Sequence, residues 1–303
     1  NYEITGANKN PLHIDGNIDF KKLDKIVTDL RLYASAFQPV KSARSTKATV
    51  YGSVIADMDM AVNGPLDALK IRGNVGLLTG TEVTYVMQDS PFALQQQENN
   101  IVTFVSFNDS TEIAEEDTLQ KSSVLGMDIL VNINIAPTVK MGVNLSVDGK
   151  NRIDLQGGGE LAYTMNTLGD SRFTGRYNLT GGFVRYNPPI ISEKLFKIQD
   201  GSYVSWNGDI ADPQMSITAV ETVRTTISEE EKNTRQVNFD ISIIIKNSLE
   251  NLSVSFDLSA PEDLTLQNQL TSLTAEQRAS QAMSLLIYNT YTCLLYTSDA
   301  ADD

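Results

Sequence analysis

The chain has 303 residues, 41% of them hydrophobic and 20% charged, a mix that can bury a sizeable core and is not a disordered composition. The formal net charge is −14, which repels phosphate backbones and argues against a nucleic-acid partner. One histidine and one cysteine cannot make a zinc site or a disulfide, and no run of about 18 apolar residues is present to cross a membrane as a helix.

From the amino terminus, His13 is the single imidazole and sits in a short strand and turn, Pro11 to Gly16. Period-2 alternation begins with Val54, Ala56, Met58, Met60 and Val62 against Ser53, Asp57 and Asp59. Successive strand side chains point to opposite faces, so such a run marks a strand with one apolar and one polar face. Asp57 and Asp59 share the polar face, where solvated acids are expected rather than a cation site. Asn63-Gly64-Pro65 reads as a turn. Gln95 to Asn100 reads as an exposed loop or linker, so residues 1–95 are expected to form a sheet segment upstream of a second unit, 96–292.

Two long runs follow. Ile129, Val131, Ile133 and Ile135 alternate with polar residues, as do Val139, Met141, Val143, Leu145 and Val147. Ala136-Pro137-Thr138 separates them and is expected to be a corner, since proline cannot donate to a strand ladder. Gly157-Gly158-Gly159 lacks the lysine and the following helix of a phosphate loop, so a turn or bulge is expected there. Phe173 to Leu179, Val237 to Ile245 and Leu252 to Leu258 repeat the alternation, with turn signals at Asp148-Gly149, Asp200-Gly201 and Asn207-Gly208. Glu229 to Lys232 reads as a loop. Thr274 to Gln277 has capping-box spacing, and a short amphipathic helix is expected over 275–287. The run from Cys293 to Asp303 (CLLYTSDAADD) resembles a translated sequencing-library adapter and is expected to be foreign to the native chain.

One stretch goes beyond alternation. Gly175–Phe183 (GRYNLTGGF) is followed by Phe196–Gly201 (FKIQDG), Tyr203–Gly208 (YVSWNG) and Asp212–Ala219 (DPQMSITA). This order resembles the signature of the TamB family's carboxy-terminal domain, with Gly175, Gly182, Gly201, Trp206, Gly208 and Pro213 as its structural residues. The resemblance runs from about Gly73 to Tyr291 and implies a helical stretch from Leu264 to Tyr288.

The resemblance implies an all-β fold, an elongated sheet curled into a half-pipe with an apolar inner face and a short C-terminal helix. It implies a periplasm-spanning envelope protein of a diderm bacterium, anchored in the inner membrane by a segment outside these residues. It further implies an outer-membrane barrel partner of the Omp85 type, and work in outer-membrane protein assembly or phospholipid transport. On that reading Ile129, Val131, Ile133, Val143, Leu145, Val147, Ile241, Ile243 and Val254 line a groove for phospholipid acyl chains. No enzyme, cofactor or metal is expected. Two other architectures share the alternation, a transmembrane β-barrel and an extracellular adhesin or β-solenoid module. The first predicts aromatic girdles, against an aromatic content of 7%. The second predicts a fixed repeat length, which these runs lack.

Overall fold

The computed structural model describes residues 1–21, 26–45, 48–87, 126–146, 148–187, 193–228 and 234–291. They fold into one fourteen-stranded sheet and two helices. The strands are β1 (Tyr2–Thr5), β2 (Pro11–Asp19), β3 (Val27–Ser42), β4 (Val50–Pro65), β5 (Lys70–Leu77), β6 (Glu82–Val86), β7 (Asp128–Asn144), β8 (Arg152–Met165), β9 (Ser171–Tyr186), β10 (Lys194–Ile198), β11 (Tyr203–Gly208), β12 (Gln214–Ser228), β13 (Thr234–Ser248) and β14 (Ser253–Ser259). The helices are α1 (Leu264–Ser272) and α2 (Ala275–Tyr288).

Strand order follows chain order from β1 to β14, and all pairings are antiparallel except those that β7 makes with β5 and β6. β1 and β14 are the two ends of this path and do not pair with each other, so the sheet is not a closed barrel. Strands on both sides of the expected boundary near residue 95 share it, while the boundary, the 229–232 loop and the 293–303 tail lie outside the described residues.

Two positions in the sheet hold broken strands. β5 and β6 both lie between β4 and β7, and β10 and β11 both lie between β9 and β12. The breaks have the same build. Leu78-Thr79-Gly80-Thr81 closes on a Thr81 N–H to Leu78 C=O bond of 3.1 Å, and Gln199-Asp200-Gly201-Ser202 on the equivalent Ser202 to Gln199 bond of 3.4 Å. The third residue is glycine at φ 93° or 84°, a left-handed conformation costly for other residues. The fourth is a buried hydroxyl that mends the ladder. Thr81 Oγ1 accepts from the Ile55 N–H and donates to the Ile55 C=O, 3.0 Å each. Ser202 Oγ accepts from Thr218 N–H at 3.1 Å and donates to Thr218 C=O at 3.4 Å.

Bulges lie beside these breaks. The β3–β4 register shifts between Ala34 and Val40, β7–β8 between Ile135 and Val139, and β8–β9 at Gln156/Gly157. One row of paired residues, Phe37–Ala56–Leu77–Ile135–Gly159–Tyr177, joins them. Bulges bend strands and strengthen twist, so this row is a crease across the sheet. The 136–138 segment is therefore a bulge inside β7 and not a corner between two strands. Two extra residues are inserted, which keeps Ile135 and Val139 on one face. The single extra residue at Thr180 has the opposite effect, and the inward set in β9 changes from Tyr177 and Leu179 to Gly182, Val184 and Tyr186.

The triple glycine sits mid-strand in β8, at the crease. A Cβ on Gly157 or Gly159 would lie 2.1 Å from Asn178 O or 2.0 Å from Arg176 O, so β9 packs too close for a side chain. Similarly, Asn63-Gly64-Pro65 continues β4, and the reversal comes at Leu66–Leu69, where Ala68 N–H bonds Pro65 C=O at 2.9 Å.

The helix expected over 275–287 is α2, with its capping box intact: Thr274 Oγ1 accepts from Gln277 N–H and Gln277 Oε1 from Thr274 N–H. α1 has no apolar stripe strong enough to announce it; Asp263 caps it by accepting from Leu266 N–H at 3.1 Å. Ala282, Leu285 and Leu286 of α2 join the core on the inner face, while Arg278 Nε donates to Asp257 on the outer face of β14 at 2.6 Å. A helix that touches both faces of an end strand lies along its edge.

Candidate functional site

The candidate site is the apolar face of the sheet. Paired residues share a face, so the ladders can be read across it. Leu32 lies opposite Met60, Met60 opposite Gly73 and Gly73 opposite Val131; Ala34, Met58, Val75, Ile133 and Leu161 form the next row. Further on, Ala219 faces Ile243, and Ile243 faces Phe256.

This face is graded. From β2 to β7, Leu32, Met58, Met60, Val75 and Ile133 are only half-buried. From β9 to β14, Phe196, Phe239, Ile241, Ile243 and Ile245 are fully buried. The cause is curling. Tyr186 of β9 and Phe256 of β14 touch across the inside with ring centroids 5.9 Å apart, although β10, β12 and β13 lie between their strands. The end of α2 closes the same region, where Tyr291 stacks on Phe239 at 4.8 Å and Thr225 Oγ1 donates to Asn289 C=O at 2.6 Å.

The expected groove residues fall on this one face with different exposures. Ile129, Ile133 and Val254 are half-buried; Val131, Val143, Leu145, Ile241 and Ile243 are buried. Val147 lies outside the described residues. Sequence reasoning passed over Met58 and Met60 as site residues, although the alternation at 54–62 carries them onto the open part of the face. Methionine is flexible and polarisable, so it suits a surface that must fit more than one shape.

The signature residues gather around β9 and β11. Trp206 pairs opposite Gly175, stands edge-on to Phe173 at 5.5 Å and donates from Nε1 to Ile210 C=O at 3.1 Å. Gly175, Gly182 and Gly208 have φ of 126°, 130° and 149° within strands, and Gly201 turns the second strand break. Pro213 is buried just before β12 and accepts from Leu249 N–H at 3.0 Å. At the crease, Tyr177 reaches over the glycines to donate to Val139 C=O at 2.7 Å, and burial pushes its phenol well above the ordinary range.

The outer face is predominantly polar. Arg31 grips Asp59 through two bonds of 3.0 and 2.9 Å, which holds the carboxyl below the usual range, and Asp57 accepts from Ala36 N–H at 2.8 Å. His13 stacks on Tyr33 with its Nδ1 3.1 Å from Glu3. A shallow depression of about 620 Å³ crosses this face over β5 to β9, bordered by Asn74, Asn132, Asn134 and Glu160. Among the described residues no three His, Cys, Asp or Glu side chains come together, and no described helix is long and apolar enough to cross a membrane. Lys194 and Glu221, 3.6 Å apart, place a charged pair on the inner face.

A family model described as "TamB C-terminal domain" matches residues 1–301, a wider span than the signature alone covers. No curated protein matches the sequence.

Proposed function

The chain belongs to the TamB C-terminal domain family, a family of bacterial envelope proteins, and from that premise we propose that it carries phospholipid acyl chains on its inner face without catalysing a reaction. The graded exposure of that face carries the reading. Half-exposed Leu32, Met58, Met60, Val75 and Ile133 form an apolar floor that is open to a guest, continuous with a core that is sealed. Each methylene buried there gains roughly 0.8 kcal/mol, so a fatty chain is held by length alone and needs no catalytic group. Through this work the protein would serve outer-membrane assembly or lipid transport in the periplasm, anchored in the inner membrane and with an outer-membrane barrel of the Omp85 type as partner.

Site-specific photo-crosslinking in cells tests this. Crosslinkers at Met60 and Ile133 should capture phospholipid, whereas those at Asn74 and Asn132 on the outer face should not. Equal labelling of the two faces would remove the basis for the reading.

A further inference from the structure

The pair Lys194–Glu221 is out of place on an apolar face. Lys194 opens β10 opposite Tyr186, and Glu221 of β12 stands opposite the fully buried Ile241. Charges on such a face cost desolvation, and a purely architectural pair recovers that cost through short, complete hydrogen bonding. This pair does not: the closest approach is 3.6 Å, beyond hydrogen-bond range, and the second oxygen of Glu221 is buried with no partner. Both side chains keep 22% exposure, so the pair stays open to solvent beside neighbours that are fully buried.

We propose that Lys194 and Glu221 receive the zwitterionic headgroup of a phospholipid, the Lys194 ammonium taking the phosphate and the Glu221 carboxylate taking the headgroup ammonium. The inference rests on the lipid reading above. The charges match in sign and order: a headgroup with one anion and one N–H-bearing cation pairs both side chains at once. A purely anionic headgroup satisfies Lys194 and leaves Glu221 facing a like charge.

The test uses the whole chain and phospholipids with a diazirine in the acyl chain, differing only in headgroup. Wild-type protein should capture phosphatidylethanolamine about tenfold over phosphatidylglycerol and over phosphatidylcholine, whose quaternary nitrogen has no N–H to donate. E221Q, close in shape, should bring phosphatidylethanolamine down to the level of phosphatidylglycerol, and K194M should lower capture of all three. Equal capture of the three headgroups by wild type overturns the headgroup site and leaves the lipid reading standing. So does a preference that persists in folded E221Q, which would make the pair architectural. No capture of any of them overturns both. The wild-type ranking alone decides the matter if either variant fails to fold.

Discussion

The hydroxyl of Thr81 binds both backbone groups of Ile55, standing in for the strand residue missing between β5 and β6. The Ile55 C=O has a second donor, the Leu78 N–H at 2.9 Å, but its N–H has only Thr81 Oγ1 among the hydrogen bonds described. Thr81→Val keeps the shape and orphans that N–H, which should cost about 1–3 kcal/mol. Thr81→Ser should cost less. Thermal melts of the two variants check this, and a loss in Thr81→Ser as large as in Thr81→Val would show that the hydroxyl has no special role over the methyl.

Tyr177 ties the crease from the other side. Tyr177→Phe removes the bond to Val139 C=O and should cost about 1–2 kcal/mol in a denaturant titration. It should also change the alkaline limb. The folded phenol titrates above the unfolded one because it is buried, so the stability it confers is complete below about pH 10 and lost as pH rises further. Wild-type melting temperature should therefore fall more steeply than that of the variant above pH 10.

Gly159→Ala should be strongly damaging. Its Cβ would lie 2.0 Å from Arg176 O, and backbone cannot yield as a flexible side chain would. A loss of about 3 kcal/mol, or failure to fold, is expected. Gly181→Ala, with open space around the added methyl, is the matched control for melting temperature.

Asp263 both caps α1 and pairs with Arg235, and these two partners hold its carboxyl below the usual range. The stability it supplies is present above the unfolded carboxylate range and lost as pH falls through the lower folded value. Asp263→Asn should cost about 1 kcal/mol at neutral pH and flatten that acid limb, as read from melts between pH 2 and 6.

Replacing Met60 and Ile133 together by glutamine should leave the melting temperature within a few degrees of wild type, because neither is fully buried. Lipid capture at neighbouring inner-face positions should drop. The same change at Ile241, which is fully buried, should unfold the carboxy-terminal half instead.

The faces of the sheet were legible because alternation is local: Met127 to Ile135 and Val237 to Ile245 state their own inward sides. The crease was not. Ala136-Pro137-Thr138 carries a strand breaker, yet whether proline ends a strand or bulges it depends on the partner, here Gly158, whose missing side chain lets Pro137 come close. Nor could the sequence show which part of the apolar face is open. Ile133 and Ile243 sit in equally regular runs, and the meeting of Tyr186 with Phe256, about 70 residues apart, together with the end of α2, seals one and leaves the other half-exposed. The strand breaks had a readable mark that single-element reasoning passed over. Leu78-Thr79-Gly80-Thr81 and Gln199-Asp200-Gly201-Ser202 share glycine third and hydroxyl fourth, and set side by side they announce the same turn twice.

The placement of α2 has a bearing on self-association. An exposed terminal strand is a template on which another copy can polymerise, and β14 would be one if bare. With the helix strapped alongside it through Arg278 and Asp257, addition of a foreign strand is blocked on that flank. Two copies therefore cannot stack β14 to β14, and fibril growth by that route is barred while the helix stays in place.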